Sequence, residues 1–291
     1  MAEAPVFLQG GGTAELQEDP VTDRRLAPST TTPSSRDRLR QVVVTVSFLV
    51  CLLGSFVGIG ALGGDEVEDT AGGALSDAAT HIAPDGPAFS IWSVIYTGLA
   101  LFVILQWLPR FAAQSRQRAV GYLVAASMVL NAAWIFATQG DLLWLSVLVI
   151  LVLLAVLCRT LVLLHRERAE NAFELVAVDG TLGLYLGWVT VATAANIAAT
   201  LADSGFDGSE LGPEVWAIIV LAALAVIGSL LAVHLGGRLA ISAAIVWGLS
   251  WVAVGRASGE LRSSVTVVAA LVAAAVVVAA TLYVRLRDRR A

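Results

Sequence analysis

Eight apolar runs of similar length divide this chain, at about 42–62, 88–108, 118–138, 141–164, 176–201, 215–235, 239–254 and 264–284. Each is close to the ~20 residues an α-helix needs to cross a ~30 Å hydrocarbon layer. Inside lipid a backbone must satisfy its own hydrogen bonds, and an open segment does so only as a helix. Of 291 residues 57% are hydrophobic and 14% charged, and the charges gather between the runs. The expected fold is therefore all-α: a polytopic membrane helical bundle of about eight transmembrane helices. The seventh run is the shortest.

Orientation has to be read from arginine, because the chain contains no lysine. Arg24, Arg25, Arg36, Arg38 and Arg40 precede the first run, and Arg110, Arg116 and Arg118 lie between the second and third. Arg159, Arg166 and Arg168 close the fourth, Arg238 separates the sixth from the seventh, and Arg285, Arg287, Arg289 and Arg290 end the chain. The alternate connections are acidic. Residues 63–87 hold Asp65, Glu66, Glu68, Asp69, Asp77 and Asp85, and 202–214 hold Asp203, Asp207, Glu210 and Glu214. Only Arg256 and Arg262 fall on that side. The positive-inside bias predicts both termini in the cytoplasm of a multi-pass protein of the plasma (inner) membrane. The net charge of -5 resides largely in the acidic connections and gives no footprint for nucleic acid. Heavy use of Ala, Val, Leu, Arg and Gly without lysine fits a GC-rich bacterial coding sequence.

Residues 1–39 are rich in Ser, Thr, Pro, Gly and charge, with too little apolar surface to fold, and read as a disordered cytoplasmic tail. Their length sets the first apolar run too far in for a cleaved signal peptide, so that run reads as an uncleaved anchor. Cys51 and Cys158 lie in spans without metal-binding company, and His81, His165 and His234 are scattered. No phosphate loop, nucleophile elbow or carboxylate pair within the spans is visible. The sequence implies no cofactor, and enzymatic activity is left open rather than indicated.

What is unusual is where polar and aromatic residues interrupt the hydrocarbon. Thr181, Tyr185, Trp188, Ala192 and Asn196 are spaced by four, three, four and four residues, which places them on one stripe of a helix. Ser127, Asn131, Trp134 and Thr138 repeat the spacing in the third span, and Phe89, Trp92 and Tyr96 in the second. An asparagine facing lipid costs a few kcal/mol, so these stripes should face inward. Belt anchoring at the interface suffices for Trp107, Trp144, Trp216 and Trp251. Trp92 and Trp134 lie near span ends and fit either role. Trp188 and Trp247 are too deep for a belt and imply a packed core. Asn131 and Asn196 could bind a ligand or join helices.

The run Pro84-Asp85-Gly86-Pro87-Ala88-Phe89-Ser90-Ile91-Trp92-Ser93-Val94-Ile95-Tyr96 resembles the loop-to-helix motif of the translocator protein / tryptophan-rich sensory protein family (TspO/MBR). Leu130-Asn131-Ala132-Ala133-Trp134 resembles its third-helix motif, and Tyr185, Trp188, Ala192 and Asn196 resemble its fifth-helix motif. The resemblance implies a five-helix unit over residues 40–201 that binds tetrapyrroles, sterols or synthetic aromatic ligands. The tryptophans matching Trp92 and Trp188 would line the pocket, and they are implicated in porphyrin breakdown in some members. Departures are clear. The family's tryptophan after the proline-rich turn is missing, its third-helix glutamine is Ser127, and its sterol motif is replaced by Ile197-Ala198-Ala199.

Residues 202–291 lie outside the quoted motifs and read as three additional helices, an added wall or oligomer face. Gly54-x3-Gly58 offers a close-packing surface compatible with a homodimer. The sequence predicts a receptor or translocator for a porphyrin-like or other hydrophobic aromatic small molecule. Its ligand residues are Phe89, Trp92, Tyr96, Asn131, Trp134, Tyr185, Trp188, Ala192 and Asn196. The alternatives are a secondary transporter using Asp179, the one acid read inside a span and expected to be solvated, and tryptophan-dependent porphyrin degradation.

Overall fold

The computed structural model describes residues 32–62 and 65–288. The tail up to residue 31, with Arg24 and Arg25, and Arg289 and Arg290 lie outside the described residues. Eight long helices follow one another: α1 (Ser35–Gly58), α2 (Ile91–Trp107), α3 (Ser115–Gln139), α4 (Leu143–Arg166), α5 (Thr181–Asp203), α6 (Gly212–His234), α7 (Leu239–Ser258) and α8 (Ser264–Asp288). Together with the short helical turns that lead into α2, α5 and α6, all eight are long and apolar enough to cross a membrane, as the sequence predicts.

The ends of these helices follow local chemistry. α1 begins at Ser35 rather than after residue 39, because Ser34 and Asp37 form a capping box. The Asp37 amide donates to Ser34 Oγ at 3.3 Å, and the Ser34 amide to the Asp37 carboxylate at 2.9 Å. That pairing satisfies two donors that the first turn would otherwise leave unmet. α2 stops where Leu108 turns extended ahead of Pro109. α5 is preceded by a helical turn, Ala172–Glu174, and a π-helical turn, Leu175–Gly180; the wide turn sets Asp179 facing inward.

The packing order is not the chain order. α1 lies on α3, α3 on α4 and α4 on α5, with α2 between α1 and α5; α5 then lies on α7, α7 on α8 and α8 on α6. Small residues make these seams possible. A Cβ on Gly54 would stand 3.0 Å from Ala132 Cβ, and one on Gly187 only 2.3 Å from the Ile241 carbonyl oxygen. The glycine face of α1 is thus occupied by α3 of the same chain. Exposure is inverted relative to a water-soluble protein. Val46, Leu53, Ile104, Leu148, Val226 and Val268 face outward, while Ser127, Asn131, Thr138, Ser146 and Asn196 are buried. Such a surface requires lipid around it. The chain is a multi-pass membrane protein.

Charges are buried at the end of the bundle where α1 begins. Asp37 holds Arg40 at 3.1 Å and accepts two hydrogen bonds from Arg118 at 2.7 and 2.6 Å. Arg116 bridges Glu174 at 3.0 Å and Asp179 at 2.6 Å, and Arg238 bonds Asp179 from the α6–α7 connection. Asp179 is therefore not solvated, as the sequence suggested; it is 5% exposed and tied to two guanidinium groups. Nor is it alone, since Glu174 is fully buried across Arg116. The sequence reading missed this carboxylate pair because the span begins four residues earlier than the apolar run. Removing one partner from such a cluster leaves an uncompensated buried charge, at about 3–5 kcal/mol.

Candidate functional site

At the opposite end, α1, α2, α3 and the loop residues Glu66 and Val67 surround a cavity of about 260 Å³. Phe89, Trp92, Tyr96, Asn131 and Trp134 line it, five of the nine residues singled out in the sequence. Three more sit behind it. A void of about 20 Å³ touches Phe89, Trp92, Asn131, Trp134, Trp188 and Ala192, and one of about 40 Å³ touches Phe89, Trp134, Trp188, Ala192 and Asn196. Phe89 and Trp134 border all three spaces and act as the partition between them. Tyr185 lines none of the three.

The partition is built from aromatic contacts. Trp92 stacks on Tyr96 one turn along α2, centroids 5.2 Å apart and planes 20° apart. It meets Tyr185 edge-on at 5.6 Å and Trp188 at 6.4 Å, while Phe89 meets Trp188 at 5.5 Å. Each such pair adds about 0.5–1.5 kcal/mol beyond area burial. Trp188 is 1% exposed, so a ligand would touch its face only after Phe89 or Trp92 moved.

The polar residues divide into those already engaged and those left over. Asn196 accepts from Trp134 Nε1 at 2.6 Å and donates to Ser146 Oγ at 2.9 Å. Tyr185 donates its hydroxyl to the Ser127 carbonyl at 3.1 Å, in the place where the family motif has glutamine. These two groups hold α3, α4 and α5 together. Asn131 makes only one long contact, its Nδ2 donating to Tyr96 Oη at 3.4 Å, and its Oδ1 is buried without a partner. Trp188 Nε1 is likewise buried and unpartnered. Buried polar atoms without partners are uncommon, and both lie in walls of this cavity system.

The sequence reading named no site residue from α1 or from the connecting loop. Ser55, Gly58, Glu66 and Ser93 also border the larger cavity. Ser55 carried a usable signal, a hydroxyl beside the Gly54-x3-Gly58 pattern; Glu66 carried none. The reading also placed Trp247 in the core and Arg256 in a loop. Trp247 is 37% exposed, and its Nε1 donates to the Ala88 carbonyl at 2.9 Å. Arg256, in the last turn of α7, is buried and donates to the carbonyls of Thr80 at 2.9 Å and Asp77 at 2.5 Å. The Asp85 amide donates to the Trp251 carbonyl at 3.3 Å. Helix α7 thus grips the loop that closes the aromatic end.

Eight spanning helices, of which the first five hold an aromatic cluster and a cavity beneath a loop clamped by α7, define a polytopic helical membrane protein. A family model described as TSPO-like protein matches residues 41–283, and the chain belongs to that family. The match continues through α8, so the last three helices, which the sequence motifs left outside the resemblance, fall within the family pattern. No curated protein and no solved structure shows a significant match.

Proposed function

We propose that this TSPO-like protein is a receptor or translocator for a flat hydrophobic ligand, porphyrin-like or a smaller aromatic, held in the cavity beneath the 65–87 loop. The observation that carries this reading is the convergence of Phe89, Trp92, Tyr96, Asn131 and Trp134 on one space of about 260 Å³. Apolar walls with a few polar anchors suit such molecules. Trp92 and Trp134 supply ring faces, and the spare Asn131 Oδ1 supplies an acceptor. The volume sits just below the ~300–1,000 Å³ of pockets that enclose drug-sized ligands. A tetrapyrrole would therefore enter with displacement of Phe89 or Trp134, merging the cavity with the voids behind. The charge bias of the connections supports a plasma-membrane orientation with both termini cytoplasmic and the cavity facing outward.

Titration with protoporphyrin IX, followed by tryptophan fluorescence, tests this. Saturable quenching is expected, with affinity reduced at least about tenfold in Trp92→Phe/Trp188→Phe. Quenching that is absent, or equal in both proteins, would contradict the reading. Asp179 gives the transporter alternative little support, because both its oxygens are committed to Arg116 and Arg238.

A further inference from the structure

A second cavity has about twice the volume of the aromatic one. About 520 Å³ lies between the second half of α5 and the first half of α6. It exists because α6 packs on α8 while α7 takes the face of α5, leaving these sequential helices apart. Its walls are aliphatic: Ala194, Ala198 and Leu201 from α5 face Ala217, Val220 and Ala223 from α6. The α5 wall runs from Ala194 to Ala202, about 12 Å at helical rise, close to the ~15 Å of one hydrocarbon leaflet. At the loop end the groove closes on Thr80, His81 and Asp207, beside Phe206 and Trp216. Those two rings meet edge-on at 5.6 Å, and Trp216 Nε1 is committed to the Gly208 carbonyl at 2.9 Å.

We propose that this groove is a binding site for a single linear acyl chain whose oxygen-bearing head sits at His81 and Thr80. Three features fit that chemistry together: an apolar slot of nearly leaflet length, a polar cluster at one end only, and aromatic rings confined to that same end, with aliphatic side chains along the rest. Burial and the nearby Arg256 hold the His81 pKa below its usual value, so its imidazole meets the head as a neutral hydrogen-bonding group. Free fatty acids and lysophospholipids share the chain and differ in the head.

The test uses cis-parinaric acid with the purified full-length protein in detergent, reading energy transfer from tryptophan. Saturable binding of one molecule per chain is expected. Filling the groove with Ala198→Phe/Ala223→Phe should weaken it at least about tenfold, and so, in part, should Ala223→Phe alone, which alters an exposed position and leaves helix packing intact. Trp92→Phe/Trp188→Phe should bind as wild type, which separates this site from the aromatic cavity. Displacement by palmitate or by lysophosphatidylcholine supports the site and identifies the source of the chain. Non-saturable partitioning, unchanged affinity in both filled variants, or displacement by neither competitor would overturn it.

Discussion

Asn131 and Asn196 occupy equivalent places in two similar stripes, yet their surroundings assign them different work. Asn196 is spent on Trp134, Ser146 and Thr200, whereas Asn131 keeps an unpaired buried oxygen. Asn196→Leu should therefore destabilise the protein by about 1–3 kcal/mol, since it strands the Trp134 N–H, while the Ser146 hydroxyl keeps the Leu143 carbonyl. Asn131→Leu removes a group that has little to lose, and should leave the thermal midpoint unchanged or raised while ligand affinity falls. Melting curves paired with ligand titrations check both. Equal destabilisation by the two substitutions would show that Asn131 is structural. Spacing could nominate both residues but could not rank them, because the difference lies in what α4 and the neighbouring rings offer each amide.

Among the helices, α7 carries the least expected role. Its small residues admit α5 at close range, and its far end grips the loop through Trp247, Trp251 and Arg256. Arg256→Met should leave helical content unchanged but speed hydrogen exchange of residues 77–88 and raise the ligand dissociation rate; unaltered exchange would remove the clamp from the account. Gly187→Val, by contrast, forces the α5–α7 seam open, and overpacking of this kind typically costs 1–3 kcal/mol, visible as a lower thermal midpoint. The eight spans were legible from apolar run length alone, since the bilayer fixes that length. The α5–α7 seam was not, because Gly183 and Gly187 invite close packing without naming a partner, and the residues they meet, Ala240 and Ile241, lie more than 50 positions away.

For the molecule as a whole, the two ends divide the labour. The end near Ser35 is locked by buried ion pairs, and the opposite end holds the cavities beneath loops. Asp179→Asn leaves Arg116 and Arg238 short of a counter-charge and should cost about 3–5 kcal/mol, with ligand affinity preserved in whatever fraction remains folded. Loss of ligand binding without loss of stability would instead couple this cluster to the site. The sequence reading took Asp179 for a solvated charge and used Arg40 and Arg116 only to assign orientation. Their burial depends on neighbours from α3, the π-helical turn and the α6–α7 connection, which only the assembled bundle brings together.

The proposal for the aromatic cavity stands or falls on whether that space is the one a ligand fills. Ser93→Phe places a ring into the larger cavity from a position that is exposed on α2, so the fold should tolerate it. Protoporphyrin IX affinity should drop at least about tenfold relative to wild type, with the melting temperature unchanged. Wild-type affinity in a stable Ser93→Phe protein would place the ligand elsewhere and contradict the assignment.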